Sequence, residues 1–161
     1  MGFFSDKIEN MNKTNKCNCR CGCNNVKPKE VKDDSEKSLV ITWQRLISEG
    51  STCPRCESTE NEVDNAVLEL KKRLNPSGID VVLEKIELTI EEFKKNPRSS
   101  NSISFNGQLL EDVIGAKTGQ SQCCDVCGDE ECRTVEAQEK SYEIIPAEMI
   151  IEAGLKVAHD L

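Results

Sequence analysis

Ten cysteines in 161 residues fall into three clusters, and their spacing sets the chemistry open to the chain. CNCRCGC puts Cys17, Cys19, Cys21 and Cys23 on alternate positions. CPRC supplies Cys53 and Cys56, and CCDVCGDEEC supplies Cys123, Cys124, Cys127 and Cys132. Thiols gathered in this way serve disulfide bonds, soft metal ions or dithiol–disulfide exchange.

CPRC reads two ways. At the start of a helix that follows a strand, the first thiol of a CxxC faces unpaired N–H groups and the positive end of the helix dipole. Both stabilise a thiolate at Cys53. Arg55 adds positive charge, Pro54 suits a first helical turn, and Cys56 becomes the resolving thiol. The other reading is a zinc knuckle, because C-P-x-C also presents two thiolates to a tetrahedral metal. Its partners would be Cys124 and Cys127, much further along the chain than the about 15–20 residues between ordinary paired knuckles.

Four thiolates in CCDVCGDEEC suffice to surround zinc or another thiophilic ion. An iron–sulfur cluster fits less well, since the spacing mirrors the plant ferredoxin order without matching it. Asp125, Asp129, Glu130 and Glu131 raise thiol pKa values by repulsion but favour a bound cation, so metal is favoured over nucleophilic chemistry. In CNCRCGC, alternate residues of an extended chain share a face at about 7 Å spacing. Thiolates around one zinc, at ~2.3 Å bonds, lie only ~4 Å apart. The segment must therefore curl, helped by Gly22. Cu(I), Cd(II), Hg(II) and As(III) suit such a thiolate-only set, and a tail that captures or delivers a soft ion is the expectation. The single histidine, His159, reads as solvated, and Trp43 and Tyr142 read as packing residues. No nucleophile elbow or phosphate-cradling loop is present.

The elements that position these residues follow from periodicity. Residues 1–37 lack an apolar pattern and read as a flexible tail with a charged linker. The folded domain is expected over 38–161. SLVITWQRLI (38–47) reads as a buried strand. ENEVDNAVLELKKRL (60–74) carries Val63, Ala66, Val67, Leu70 and Leu74 on one helical stripe. Thr59 with Glu62 forms a capping-box pattern, which leaves open a helix that begins only after CPRC. GIDVVLEKIEL (78–88) is a second strand. Thr89 and Glu92 cap a short helix over 90–96. Asn106-Gly107 marks a hairpin within 102–110, residues 115–132 read as a cysteine-rich loop, and 134–145 as another hairpin. Pro146 opens a closing helix. Helices interleaved with early strands predict an α/β domain with a parallel pair, followed by antiparallel strands.

The bulk composition excludes several functions. A formal net charge of −8 without a basic stripe argues against nucleic acid as a partner. No apolar run reaches the roughly 18 residues of a membrane span. The N-terminus lacks the apolar stretch of a secretory signal, and Asp6 stands where a myristoylation signal wants Ser or Thr. A cytoplasmic location is therefore expected. Thiols stay reduced there, which favours metal or redox roles over structural disulfides.

From SLVITWQRL through TCPRC, SNSISFNG and CCDVCGDEECRT to IPAEMII, the chain resembles a prokaryotic family defined as a domain of unknown function. That resemblance covers about residues 38–158 and omits the cysteine tail. In element order the chain also resembles small thioredoxin- and glutaredoxin-like proteins. This implies a thioredoxin-like α/β fold with a cysteine-rich insertion at 115–132, Cys53 as the attacking thiol and Cys56 as the resolving one. Their ING turn matches Phe105-Asn106-Gly107. Asn101 stands where those proteins carry a cis-proline beside the thiols, a departure that shifts weight toward metal binding at the CxxC.

The sequence thus points to thiol–disulfide exchange through Cys53 and Cys56, with a thiol or disulfide redox partner, tied to soft metal or metalloid handling by the remaining cysteines. The rival is a non-enzymatic metal-binding protein or metallochaperone in which CPRC is itself a ligand pair.

Overall fold

Alternation of apolar residues in KSLVITWQRL buries Leu39, Ile41, Trp43 and Leu46 of strand β1 (Lys37–Leu46). The computed structural model describes residues 37–122 and 127–161. Those residues belong to one unit that spans Ser35–Leu161. The expectations on the tail up to residue 36, with Cys17, Cys19, Cys21 and Cys23, and on Cys123 and Cys124 lie outside the described residues.

Helix α1 (Pro54–Leu74) crosses to strand β2 (Ile79–Leu88), which pairs in parallel with β1 from Lys37↔Ile79 to Leu46↔Leu88. Helix α2 (Ile90–Lys95) starts at the expected capping box: Thr89 Oγ1 accepts the Glu92 N–H, and the Glu92 carboxylate accepts the Thr89 N–H at 2.8 Å. A 3₁₀ turn at Pro97–Ser99 leads to β3 (Ser102–Phe105), antiparallel to β1, and then β4 (Gln108–Leu109). Asn106 and Gly107 turn that hairpin at φ 49° and 85°, the left-handed pair that a two-residue turn of this kind requires. The sheet order is β2-β1-β3-β4. The chain is an α/β protein, with one parallel pair and antiparallel strands after it.

Helix α3 (Leu110–Ile114) joins this sheet to a second one, and the sequence reading needs correction there. The span 115–132 is not simply a loop. It contains β5 (Lys117–Gln122) and enters β6 (Glu131–Ala137), which pairs on its other side with β7 (Lys140–Tyr142). Its exposed, polar strand β5 carries too few apolar residues to show a period of two, which is why a propensity reading misses it. Helix α4 (Ala147–His159) closes the chain and packs against α1, β1 and β3. Gly154 permits that approach, since a Cβ there would sit 2.7 Å from Leu70 Cδ1.

The helix that holds CPRC begins at Pro54, not after the motif. The Thr59–Glu62 capping box does not form. Thr59 is buried inside α1, and Glu62 instead accepts the N–H of Ala147 at 2.8 Å, which caps the start of α4. Among the described residues, no helix is long and apolar enough to cross a membrane.

Candidate functional site

Thr52 fixes the approach to CPRC by donating from Oγ1 to the Leu46 carbonyl at 2.9 Å. Cys53 then takes the N-cap of α1 with extended backbone, and its Sγ accepts the N–H of Cys56 at 3.4 Å. Sulfur thus occupies the place where a capping side-chain oxygen satisfies an orphan amide. Pro54 follows in the first turn, where a missing N–H costs nothing. Both thiols are 1% exposed.

The two sulfurs are not equivalent. The Cys56 thiol is pushed far above its ordinary pKa, first by its hydrogen bond with Cys53, then by burial, then by negative charge on Cys53. Ser100 and Thr52 pull weakly the other way.

Beside these thiols runs the segment that enters β3. Ser100 Oγ lies 3.9 Å from Cys56 Sγ and accepts the Leu46 N–H at 3.2 Å. Asn101, 1% exposed, holds a left-handed φ of 53°. Its amide bridges outward: Oδ1 accepts from Trp43 Nε1 at 3.4 Å, and Nδ2 donates to the Glu143 carbonyl at 3.1 Å. Trp43 is thus both core and anchor.

Arg55 reaches across to the end of β5. Its Nη2 donates to Ser121 Oγ at 3.0 Å and to the Gln122 carbonyl at 2.9 Å, and it pairs with Glu143 at 3.0 Å. Ser121 also donates to Glu143 at 2.9 Å. Nη1 is buried with no partner among the described residues. The guanidinium therefore ties CPRC to the end of β5, the strand that leads into the third cysteine cluster.

Across the β5–β6 ladder Ser121 faces Cys132. Cys132 lies on a strand and not in a loop, and its Sγ is 3.0 Å from Cys127 Sγ. Both are 1% exposed and share one buried apolar cluster with Cys53 and Cys56. The next residue, Arg133, is buried against Glu111: Nε donates to Glu111 Oε1 at 2.7 Å, Nη1 to the Arg98 carbonyl at 2.6 Å, and Nη2 to Thr118 Oγ1 at 3.2 Å. Arg98 stands two residues before Ser100. A closed circuit results, from CPRC through Arg55 to β5, across to β6, and back through Arg133 and Ser100 to Cys56.

The structure thus pairs Cys53 with Cys56 and Cys127 with Cys132, and buries both pairs in one core. Among the described residues, no group of three or more His, Cys, Asp or Glu side chains is disposed to hold a metal ion. His159 is exposed beside Asp160, away from this chemistry. Sequence reasoning missed Arg133, Glu111, Ser100 and Glu143. An arginine next to Cys132 was the only local signal, and nothing in the sequence marks it as buried.

Residues 39–154 match the family described as a domain of unknown function (DUF2703). The chain belongs to that family. An uncharacterized protein of Archaeoglobus fulgidus is 48% identical over 112 residues, which cover 70% of this chain and 82% of the relative. No solved structure matches the chain. The DUF2703 span runs from within β1 to within α4, so it contains CPRC, Cys127 and Cys132 with both arginine anchors. CNCRCGC falls outside it.

Proposed function

We propose that this DUF2703 protein is a thioredoxin-like, cytoplasmic thiol–disulfide exchange protein that works through Cys53 and Cys56 and is linked to soft metal or metalloid handling. The observation that carries the reading is the pair at the start of α1, with Cys53 as N-cap and its Sγ accepting the Cys56 N–H. A parallel β1–α1–β2 unit with a CxxC at the start of its helix supports the thioredoxin-like part. The Ser100–Asn101 segment against the thiols supports it as well.

In the forward step the Cys53 thiolate attacks one sulfur of a substrate disulfide. A Cys53–substrate disulfide forms and one substrate thiolate leaves. Cys56 then gives up its proton and attacks Cys53 Sγ, which releases the second substrate thiol and leaves a Cys53–Cys56 disulfide. The substrate gains two electrons and CPRC loses them. At 1% exposure the pair acts only after the surrounding segments open.

A second reading is a non-enzymatic metal-binding protein or metallochaperone with CPRC as a ligand pair. The presence of a second buried thiol pair, Cys127 with Cys132, favours it, because paired thiolates suit zinc or a softer ion. The deciding test uses anaerobically purified full chain, with metal analysis, thiol counting and reduction of a small aromatic disulfide. Exchange activity should be absent in Cys53→Ser, while Cys56→Ser should accumulate a mixed disulfide. Stoichiometric metal held through CPRC, with no exchange after its removal, would decide for the second reading.

A further inference from the structure

Cys127 and Cys132 have a geometry of their own. Their sulfurs are 3.0 Å apart, within about 1 Å of the ~2.05 Å disulfide bond. The chain between them reverses through Gly128, at φ 65°, and returns into β6.

The position of this pair is as telling as its geometry. Cys132 is one ladder partner from Ser121, and Ser121 is held by the arginine between Cys53 and Cys56. Directly opposed residues on antiparallel strands have Cα atoms about 4.5–5.5 Å apart. Arg133, the neighbour of Cys132, reaches the Arg98 carbonyl on the segment that runs to Ser100 and Cys56. Two independent anchors therefore tie the segments that carry the two pairs, and all four cysteines belong to the same buried core.

We propose that Cys127 and Cys132 are a second redox-active dithiol, oxidised by the Cys53–Cys56 disulfide in an intramolecular relay. This rests on the exchange reading of CPRC. Cys127 or Cys132, as thiolate, attacks one sulfur of the Cys53–Cys56 disulfide. A disulfide forms between the two pairs, and one CPRC thiolate leaves and takes up the proton. The other thiol of the second pair then attacks its oxidised neighbour. A Cys127–Cys132 disulfide results and CPRC returns to the dithiol. Two electrons pass from the second pair to the first, and two protons move with them, so no further oxidant is needed. In the working direction the relay resets CPRC after each substrate disulfide is reduced. It stores the oxidising equivalent in the Cys127–Cys132 bond until an external thiol removes it.

The test is a rapid-quench time course on reduced, metal-free, full-length protein, oxidised with one equivalent of an aromatic disulfide. Alkylation followed by peptide mass spectrometry locates the bond and separates it from pairings of Cys123 and Cys124. The expected result is a Cys53–Cys56 disulfide that appears first and decays as a Cys127–Cys132 disulfide grows. The decay should be first order, with a rate independent of protein concentration. In Cys127→Ser and in Cys132→Ala the first disulfide should persist. If the wild-type Cys53–Cys56 disulfide forms and stays, the relay is wrong and the exchange reading stands. If Cys127–Cys132 oxidises while CPRC never forms a disulfide, both the relay and the exchange reading fail. The wild-type course alone decides, so the outcome does not depend on the variants' folding.

Discussion

Arg55 and Ser121 are 66 positions apart in the chain, and Arg55 Nη2 donates to Ser121 Oγ at 3.0 Å. That bond fastens the first turn of α1 to the strand that carries the chain into the third cysteine cluster. Arg55 also holds the Gln122 carbonyl and Glu143. Replacing it with leucine removes a charged donor from three acceptors at once. We expect Arg55→Leu to lower unfolding free energy by about 2–3 kcal/mol. Glu143→Gln should cost less than ~1 kcal/mol, because that carboxylate is half exposed. Denaturant unfolding measures both. Equal losses would mean that the ion pair, and not the bonds to β5, dominates.

Cys56 makes stability depend on alkaline pH. Its folded-state pKa lies above the ordinary value of 9.0, because of its bond with Cys53, then burial, then charge on Cys53. A thiol that keeps its proton longer in the folded state contributes stability that is full below about pH 9. The contribution is lost as pH rises, because the unfolded chain ionises first. Reduced protein should therefore lose about 1.4 kcal/mol per pH unit above about pH 9 from this group. Cys56→Ala should flatten the slope by one proton. Parallel slopes for the two proteins between pH 9 and pH 10 would contradict this account.

Asn101 holds its left-handed backbone through bonds to Trp43 and Glu143. Proline fixes φ near −65°, so Asn101→Pro should destabilise the fold by about 3 kcal/mol or more. Asn101→Gly keeps the backbone conformation and loses only the side-chain bonds, about 1–2 kcal/mol. Thermal unfolding of both variants gives the comparison. A milder effect for proline than for glycine would show that the loop re-forms differently.

Glu111 and Arg133 are a buried ion pair, 3% and 7% exposed in their side chains. Glu111→Ala leaves the guanidinium charged and uncompensated, at a cost of about 3–5 kcal/mol. Glu111→Leu combined with Arg133→Met removes both charges and should recover much of that loss. Because Arg133 anchors β6 beside Cys132, the double variant should also change the alkylation rate of Cys132 relative to Cys53. An unchanged ratio would mean that Arg133 has no part in positioning the second thiol pair.

The strands and helices were legible where the signal is local. The alternation Leu39, Ile41, Trp43 marks β1, the Thr89–Glu92 box starts α2, and Asn106-Gly107 turns β3 into β4. CPRC at the mouth of a helix followed from the same logic, since Pro54 and the stripe from Val63 to Leu74 need only neighbouring residues to be read. Where local signals compete, tertiary packing chose. Thr59 and Glu62 spell a cap, yet Glu62 is used by the Ala147 amide of another helix, and α1 starts at Pro54 with Cys53 as its N-cap. The residues that make the site are joined by contacts across long stretches of chain, such as Arg55 to Ser121, Arg133 to Glu111 and Ser100 to Cys56. A buried guanidinium is set by which carbonyls and carboxylates the fold brings within 3 Å or so, and no periodicity records that. The sequence by itself determined three thiol clusters and the helix end that biases one of them. The tertiary structure decided that Cys53, Cys56, Cys127 and Cys132 are all buried in one core, with Arg55 fastening α1 to β5 and Arg133 fastening β6 to Glu111, because those contacts join residues far apart in the chain.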